Sequence, residues 1–245
     1  MSGHSHAKTI KHQKEITDKK RGNIFSKLSR HISLAAKEKG GNPETNSALR
    51  MALEQAKSFN LPKENIERAI KRGTGETEGE RLEEVIFEAY GPGSIAIIIE
   101  GITDNKNRTL GEIKQILNQN NGKLVGEGAV KWMFERKGCI TINLRSQTQD
   151  RKKEEIELMV IESGAEDIYW YDDNLDVYTK TEDLEKVRKS IEERSVQTES
   201  ASLDWVAKET VESDEKQKEG CQKLFEALDE NEAVQGVYSN IKLSI

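Results

Sequence analysis

Residues 90–108 read YGPGSIAIIIEGITDNKNR, and the fold is decided there. Tyr90-Gly91-Pro92-Gly93 is a reverse turn, because glycine admits positive φ and proline presets the turn geometry. After it Ile95, Ile97 and Ile99 point to one face of a strand while Ala96 and Ile98 occupy the other. Both faces are apolar, so this strand lies inside a structure rather than on its surface. Thr109 with Glu112 reads as a capping box, and Leu110, Ile113, Ile116 and Leu117 follow at helical spacing. Turn, buried strand and capped amphipathic helix form the centre on which the rest of the chain docks.

Working outward, Val85–Tyr90 is the partner strand before the turn, and Ala129–Phe134 is a third strand after the glycine-rich stretch 122–128. A second unit then begins. Cys139–Leu144 is a strand, and Asp150 caps a helix whose Ile156, Met159, Val160 and Ser163 share a face. Asp167–Tyr171 and Leu175–Tyr178 are strands joined by an Asp172-Asp173-Asn174 turn. Thr181 caps a helix with Leu184, Val187 and Ile191 inward, and Gln197–Leu203 returns as a strand. That order is βαββαβ, the split-βαβ ferredoxin-like unit. The tail adds one helix, Asp214–Leu228, and one strand, Ala233–Tyr238, which cannot bury a core alone. The unit opened near residue 82 lacks one helix and one strand, so the tail completes it and the second unit is inserted.

Upstream, Ile24, Phe25, Leu28, Ile32, Ala35 and Ala36 form one helix stripe, closed by Gly40-Gly41-Asn42-Pro43. A second helix covers about 47–59. A third runs from Pro62 to Arg72, with Pro62 at its first position and Gly73 closing it. Residues 74–79 are glycine and acid without periodicity, a linker. The expected fold class is α+β with three domains, an N-terminal helical bundle plus two ferredoxin-like α/β units, one inserted in the other. The expected boundaries are 1–79 for the basic arm and bundle, 80–135 with 206–245 for the discontinuous unit, and 136–205 for the insert.

The 245 residues carry 33% charged and only 5% aromatic side chains, a surface-rich composition suited to several small domains. The net charge of −6 hides an asymmetry: residues 1–72 hold 16 Lys/Arg against 7 Asp/Glu. Such a split points to a basic arm that meets polyanions and an acidic body that does not. The longest apolar run, Ile95–Ile99, is far short of a bilayer span, and the basic N-terminus has no apolar core of a signal peptide. A cytoplasmic, bacterial protein is expected. Cys139 and Cys221 lack metal or redox spacing and are expected as reduced core thiols. His4, His6 and His12 have no thiol or carboxylate at ligand spacing, so no metal and no cofactor is expected. All four histidines lie in the first 31 residues, away from both cysteines, and no catalytic set forms.

The motifs also carry a resemblance. They are Gly3-His4-Ser5 with Ile10-Lys11-His12, Lys20-Arg21-Gly22 before Ile24-Phe25, Pro62 with 65–71, Tyr90–Gly93, Thr103-Asp104-Asn105, Asn107-Arg108-Thr109 and Trp132-Met133-Phe134. Together they resemble the YebC/PmpR family, which includes the translational activator of cytochrome c oxidase, over essentially the whole chain. The resemblance implies a three-domain, cleft-shaped fold, no enzymatic activity and a role in gene expression under two labels. One is a DNA-binding transcriptional regulator. The other is an RNA-binding, ribosome-associated translation factor that relieves stalling at proline-rich stretches. The chain departs from the family where Lys-Trp-Ala-Asn is usual, having His6-Ala7-Lys8-Thr9, and Gln13 replaces a usual arginine.

The nucleic-acid contacts expected from the arm and first helix are His4, Lys8, Lys11, His12, Lys14, Lys19, Lys20, Arg21, Lys27 and Arg30. Asp104, Asn105, Asn107 and Arg108, crowded at a strand end and helix start, form a possible anion or partner site, with helix capping as the plain alternative. The bundle presents no base-reading helix and no dimerisation stripe. A monomer that contacts rRNA in the ribosome is therefore favoured over an operator-binding DNA regulator.

Overall fold

The computed structural model describes residues 18–77, 81–147 and 151–242, with only the backbone of 18–20. Three helices open it: α1 (Asp18–Lys39), α2 (Ser47–Ser58) and α3 (Lys63–Thr74). The stripe read from sequence is the one that packs, since Leu28, Ile32, Ala35 and Ala36 are buried with Leu49, Ala52, Ala56 and Ala69. α1 already includes Asp18, earlier than the expected start near Ile24. The reason is local: nothing in Asp-Lys-Lys-Arg stops a helix.

Gly40, at φ 85°, ends α1, and buried Asn46 then caps α2 by accepting from Leu49 N at 3.0 Å. Its amide also donates to the carbonyls of Ala35 and Gly40, both at 2.8 Å, tying the loop to the helix it leaves. Gly73 was expected to close α3, but the helix continues to Thr74 and Gly75, at φ 78°, is the left-handed cap. Gly73 instead lets α3 cross α1 closely, for a Cβ there would lie 2.2 Å from the Ser33 carbonyl oxygen.

The first sheet contains β1 (Glu83–Tyr90), β2 (Ala96–Thr103), β3 (Lys123–Val125) and β8 (Val234–Ser239) in the order β3-β1-β2-β8. Helices α4 (Lys106–Gln119) and α7 (Glu215–Asp229) contribute Ile113, Leu117, Leu224, Phe225 and Leu228 to the same core as Ile95, Ile97 and Ile99. Ala96 and Ile98 lie in a second cluster with Val130, Phe134 and Ala207, so β2 is buried on both faces, as its composition requires. Two local expectations are corrected. Asn105, not Thr109, caps α4 by accepting from Arg108 N, while the Thr109 hydroxyl meets that of Thr103 at 2.8 Å. The third strand is 123–125 rather than 129–134: in the run Ala129–Phe134, Val130 and Phe134 turn into the core while a 3₁₀ turn at Lys131–Met133 carries Trp132 outward.

The second sheet has β4 (Phe134–Asn143), β5 (Asp167–Tyr171), β6 (Asn174–Thr179) and β7 (Ser200–Ala207) in the order β5-β6-β4-β7, all antiparallel. Helices α5 (Lys153–Glu162) and α6 (Leu184–Glu193) cover one face through Ile156, Val160, Leu184, Val187 and Ile191. This is the ferredoxin-like arrangement, and all its strands fall in the chain between β3 and β8. α6 starts at Leu184 after a 3₁₀ turn, and Thr181 bonds Glu182 rather than capping the helix. The expected cap Asp150 lies outside the described residues. Cys139 and Cys221 are free and buried, and burial pushes the Cys221 thiol up to about 11.

Candidate nucleic-acid interface

The arm's expected contacts His4, Lys8, Lys11, His12 and Lys14 lie outside the described residues. Lys19 and Lys20 are described by backbone only, in the first turn of α1, and Arg21 follows with its side chain exposed. One turn further along, Asn23, Lys27 and Arg30 recur at spacings of four and three and therefore share one side of the helix. That side meets the end of α7. The Asn23 amide donates to the Glu230 carbonyl at 2.9 Å, and the Lys27 ammonium to the Asp229 carboxylate at 2.8 Å and to its carbonyl. A helix's last carbonyls are unpaired and carry its negative dipole end, so an amide and an ammonium are the groups that satisfy them.

Arg30 reaches past α7 to the Ile102 carbonyl at 3.1 Å and to Glu232 at 3.5 Å. The side chains of Lys27 and Arg30 are only 12% and 16% accessible. Expected as nucleic-acid contacts, these two residues have their donors turned to the body of the molecule. They fix the position and direction of α1, whose N-terminal turn carries the lysine- and arginine-rich segment.

Asp104, Asn105, Asn107 and Arg108 are brought together beside this root, two residues beyond the carbonyl that takes Arg30. Their polar groups are largely spent on one another. Asn105 caps α4, and Arg108 pairs with Asp104 at 2.5 Å and Glu112 at 3.8 Å. Asn231, beside Glu232 in the turn after α7, donates to Glu112 at 2.8 Å. The cluster therefore joins α4 to the α7–β8 turn, with Asn105, Asn107 and Arg108 exposed and Asp104 half-buried.

α2 is covered by the inserted unit. Arg50 pairs with Glu185 at 3.2 Å, Arg188 with Glu54 at 2.7 Å, and Met51 packs on the second sheet's core. α3 follows α2 across the four residues Phe59–Pro62 and keeps an outward side of both signs, with Lys63, Glu64, Glu67, Arg68, Lys71 and Arg72 exposed.

Sequence reasoning missed two carboxylates on the strand face turned toward the insert. Glu88, buried on β1, accepts from Gly128 N, Val130 N and Lys131 N at 2.6, 2.7 and 2.9 Å. Burial opposes its charge, but those three donors and the Lys131 ammonium prevail and hold its carboxyl below the ordinary glutamate value. Glu100 accepts from Arg136 at 2.6 Å, Trp205 Nε1 at 2.8 Å and the Tyr238 hydroxyl at 3.1 Å, linking both sheets. The signal in sequence was a glutamate inside an otherwise apolar strand, which a burial pattern tolerates only if its oxygens are satisfied.

Among the described residues no group of three or more His, Cys, Asp or Glu is arranged to hold a metal, and no helix is long and apolar enough to cross a membrane.

Family models match nearly all of the chain. One described as the TACO1/YebC protein N-terminal domain covers residues 5–76, and one described as the TACO1/YebC second and third domain covers 82–241. A probable transcriptional regulatory protein of Caldanaerobacter subterraneus subsp. tengcongensis is 46% identical over 243 residues, 99% of each chain. One of Halothermothrix orenii is 45% identical over 99% of this chain and 96% of its own. The crystal structure of a conserved hypothetical protein from Aquifex aeolicus is 40% identical and superposes with a TM-score of 0.87, covering 96% of this chain and 98% of that one.

Proposed function

The chain belongs to the TACO1/YebC family, and on that premise we propose that it is a non-enzymatic regulator of gene expression that binds nucleic acid through its basic N-terminal segment. On this reading the target is RNA of the ribosome, the protein acts as a monomer in translation, and it works in the cytoplasm. The observation that carries the reading is the docking of α1 by Asn23, Lys27 and Arg30, which launches residues 1–22, with six Lys/Arg and two acids, from a fixed point on an acidic body. A basic segment of this kind contacts phosphate backbone and shape rather than base edges. The pairing of α2 with α6 supports the same reading, because Arg50 and Glu54 are already engaged by the insert.

A second reading is DNA binding in transcription. The relatives' name favours it, and so does the exposed side of α3 after a four-residue turn, the spacing of a helix-turn-helix pair. Sucrose-gradient sedimentation of a lysate separates the two. Co-migration with ribosomes that is abolished by deleting residues 1–22 is the expected result. A protein that stays at the top of the gradient and shifts duplex DNA instead would establish the second reading.

A further inference from the structure

The loop 126–133 is shaped by the buried Glu88 carboxylate, which holds the amides of Gly128, Val130 and Lys131. Val130 is fully buried, and the 3₁₀ turn that follows lifts Trp132 outward. Trp132 is 65% exposed, more than any other large apolar side chain among the described residues. It is held there. Its indole N–H donates to the Ala129 carbonyl at 3.1 Å, and its own carbonyl accepts from the Lys208 ammonium at 2.9 Å. With the indole donor already engaged, what the side chain offers to solvent is ring surface.

A tryptophan that anchors a protein partner sits at the centre of an apolar patch with a polar rim. Trp132 does not. The other exposed large apolar side chains, Ile86, Leu158, Ile161, Leu203 and Val211, stand on β1, α5, β7 and the segment leading to α7, and none belongs to this loop. Its chain neighbours, and those of Lys208, which holds its carbonyl, are Lys131, Glu127, Glu135 and Glu209, so three carboxylates stand with the two ammonium groups of Lys131 and Lys208. The Lys131 ammonium lies over the Trp205 ring, 5.2 Å from its centroid, so what Trp132 presents is a fixed, exposed ring, and an unpaired base stacks on such a ring because every base has a π face.

We infer that Trp132 is a stacking platform for an unpaired nucleobase of single-stranded RNA, a contact separate from the basic N-terminal segment. It rests on the reading of the chain as an RNA-binding protein. The platform lies toward the far end of β1 from α1, whose Lys37 holds the Leu82 carbonyl at 2.7 Å just before the strand begins. RNA would thus be gripped at two places: by charge at the arm and by stacking at Trp132.

The test is titration of the full chain with a short single-stranded oligoadenylate, read by anisotropy of the labelled RNA and by quenching of tryptophan emission. Trp132→Ala is expected to weaken binding about five- to a hundredfold and to abolish most of the quenching, with the salt dependence unchanged. Trp132→Phe lacks the bond to Ala129 but keeps a ring, and it is expected to retain most of the affinity. Binding by Trp132→Ala as tight as wild type, while Lys19, Lys20 and Arg21 replaced by Ala bind weakly, overturns the inference and leaves the RNA reading intact. Equal loss in the Phe and Ala variants overturns it too, by tracing the effect to the loop. Failure of the wild-type chain to bind the oligoadenylate at all overturns the inference, and co-sedimentation with ribosomes then decides the RNA reading separately.

Discussion

Glu88 shows how one buried charge organises a loop. Three backbone amides converge on its oxygens within 2.9 Å, and replacing it by Gln leaves an amide nitrogen where an acceptor is needed. Glu88→Gln should cost about 1–3 kcal/mol of stability at neutral pH, measured by urea denaturation. The sign of the pH dependence follows from the lowered carboxyl. The stabilisation is complete above the ordinary glutamate range, about pH 4, and is lost as pH falls through the lower folded-state value. The gap between wild type and variant should therefore close on acidification. Glu84, at the exposed start of β1, shifts the other way: partial desolvation, then Glu38 and Glu100, raise its carboxyl, and solvent screening keeps the resulting cost at neutral pH small. A wild-type advantage that instead widened below pH 4 would show that Glu88 is not the charged acceptor described.

At the scale of the element, α1 does two jobs with one sequence. Its inward stripe was legible from spacing alone, because apolar residues three and four apart can satisfy only one face. The side facing α7 was not. Lys27 and Arg30 read as solvent-facing or phosphate-facing charges, and only the fold brings the Asp229 carbonyl and Glu232 to them from two hundred residues away. The same holds for the run Ala129–Phe134, whose apolar pattern resembles a strand but whose Val130 and Lys131 amides are held by Glu88. Strand and helix order, by contrast, was readable, since turns such as Tyr90–Gly93 and Asp172–Asn174 carry their own chemistry. The division of labour in α1 is testable. Replacing Lys19, Lys20 and Arg21 by Ala should flatten the slope of log affinity against log salt by about 2. Replacing Asn23 and Lys27 by Ala should leave that slope unchanged and lower stability by about 1–3 kcal/mol, as the carbonyls ending α7 lose their partners. A flattened slope in the second variant would return Lys27 to the nucleic-acid surface.

For the whole molecule the question is how three bodies share one chain. The insert leaves and rejoins the first sheet's unit at adjacent points, because Phe134 and Ala207 are paired across β4 and β7. Such closeness of ends is what allows one domain to be placed inside another without opening its core. We propose that residues 80–135 with 206–245 unfold as one unit, 136–205 as a second and 1–79 as a third, the paired strands running two residues past each seam. α7 and β8 are then integral to the core built on Ile95–Ile99. Phe225, 1% exposed, packs there with Leu224 and Leu228, and Phe225→Ala should cost about 3–5 kcal/mol. Hydrogen exchange of the full chain should show that loss at the amides of β1, β2 and β8. The amides of β4 and β6 in the second sheet should keep most of their protection, since their core of Ile140, Ile142, Val160 and Val177 contains nothing from the tail. Equal loss in both sheets would mean that the Glu100–Arg136–Trp205 cluster couples them into one cooperative body, and the nested units would then be a feature of topology but not of energetics.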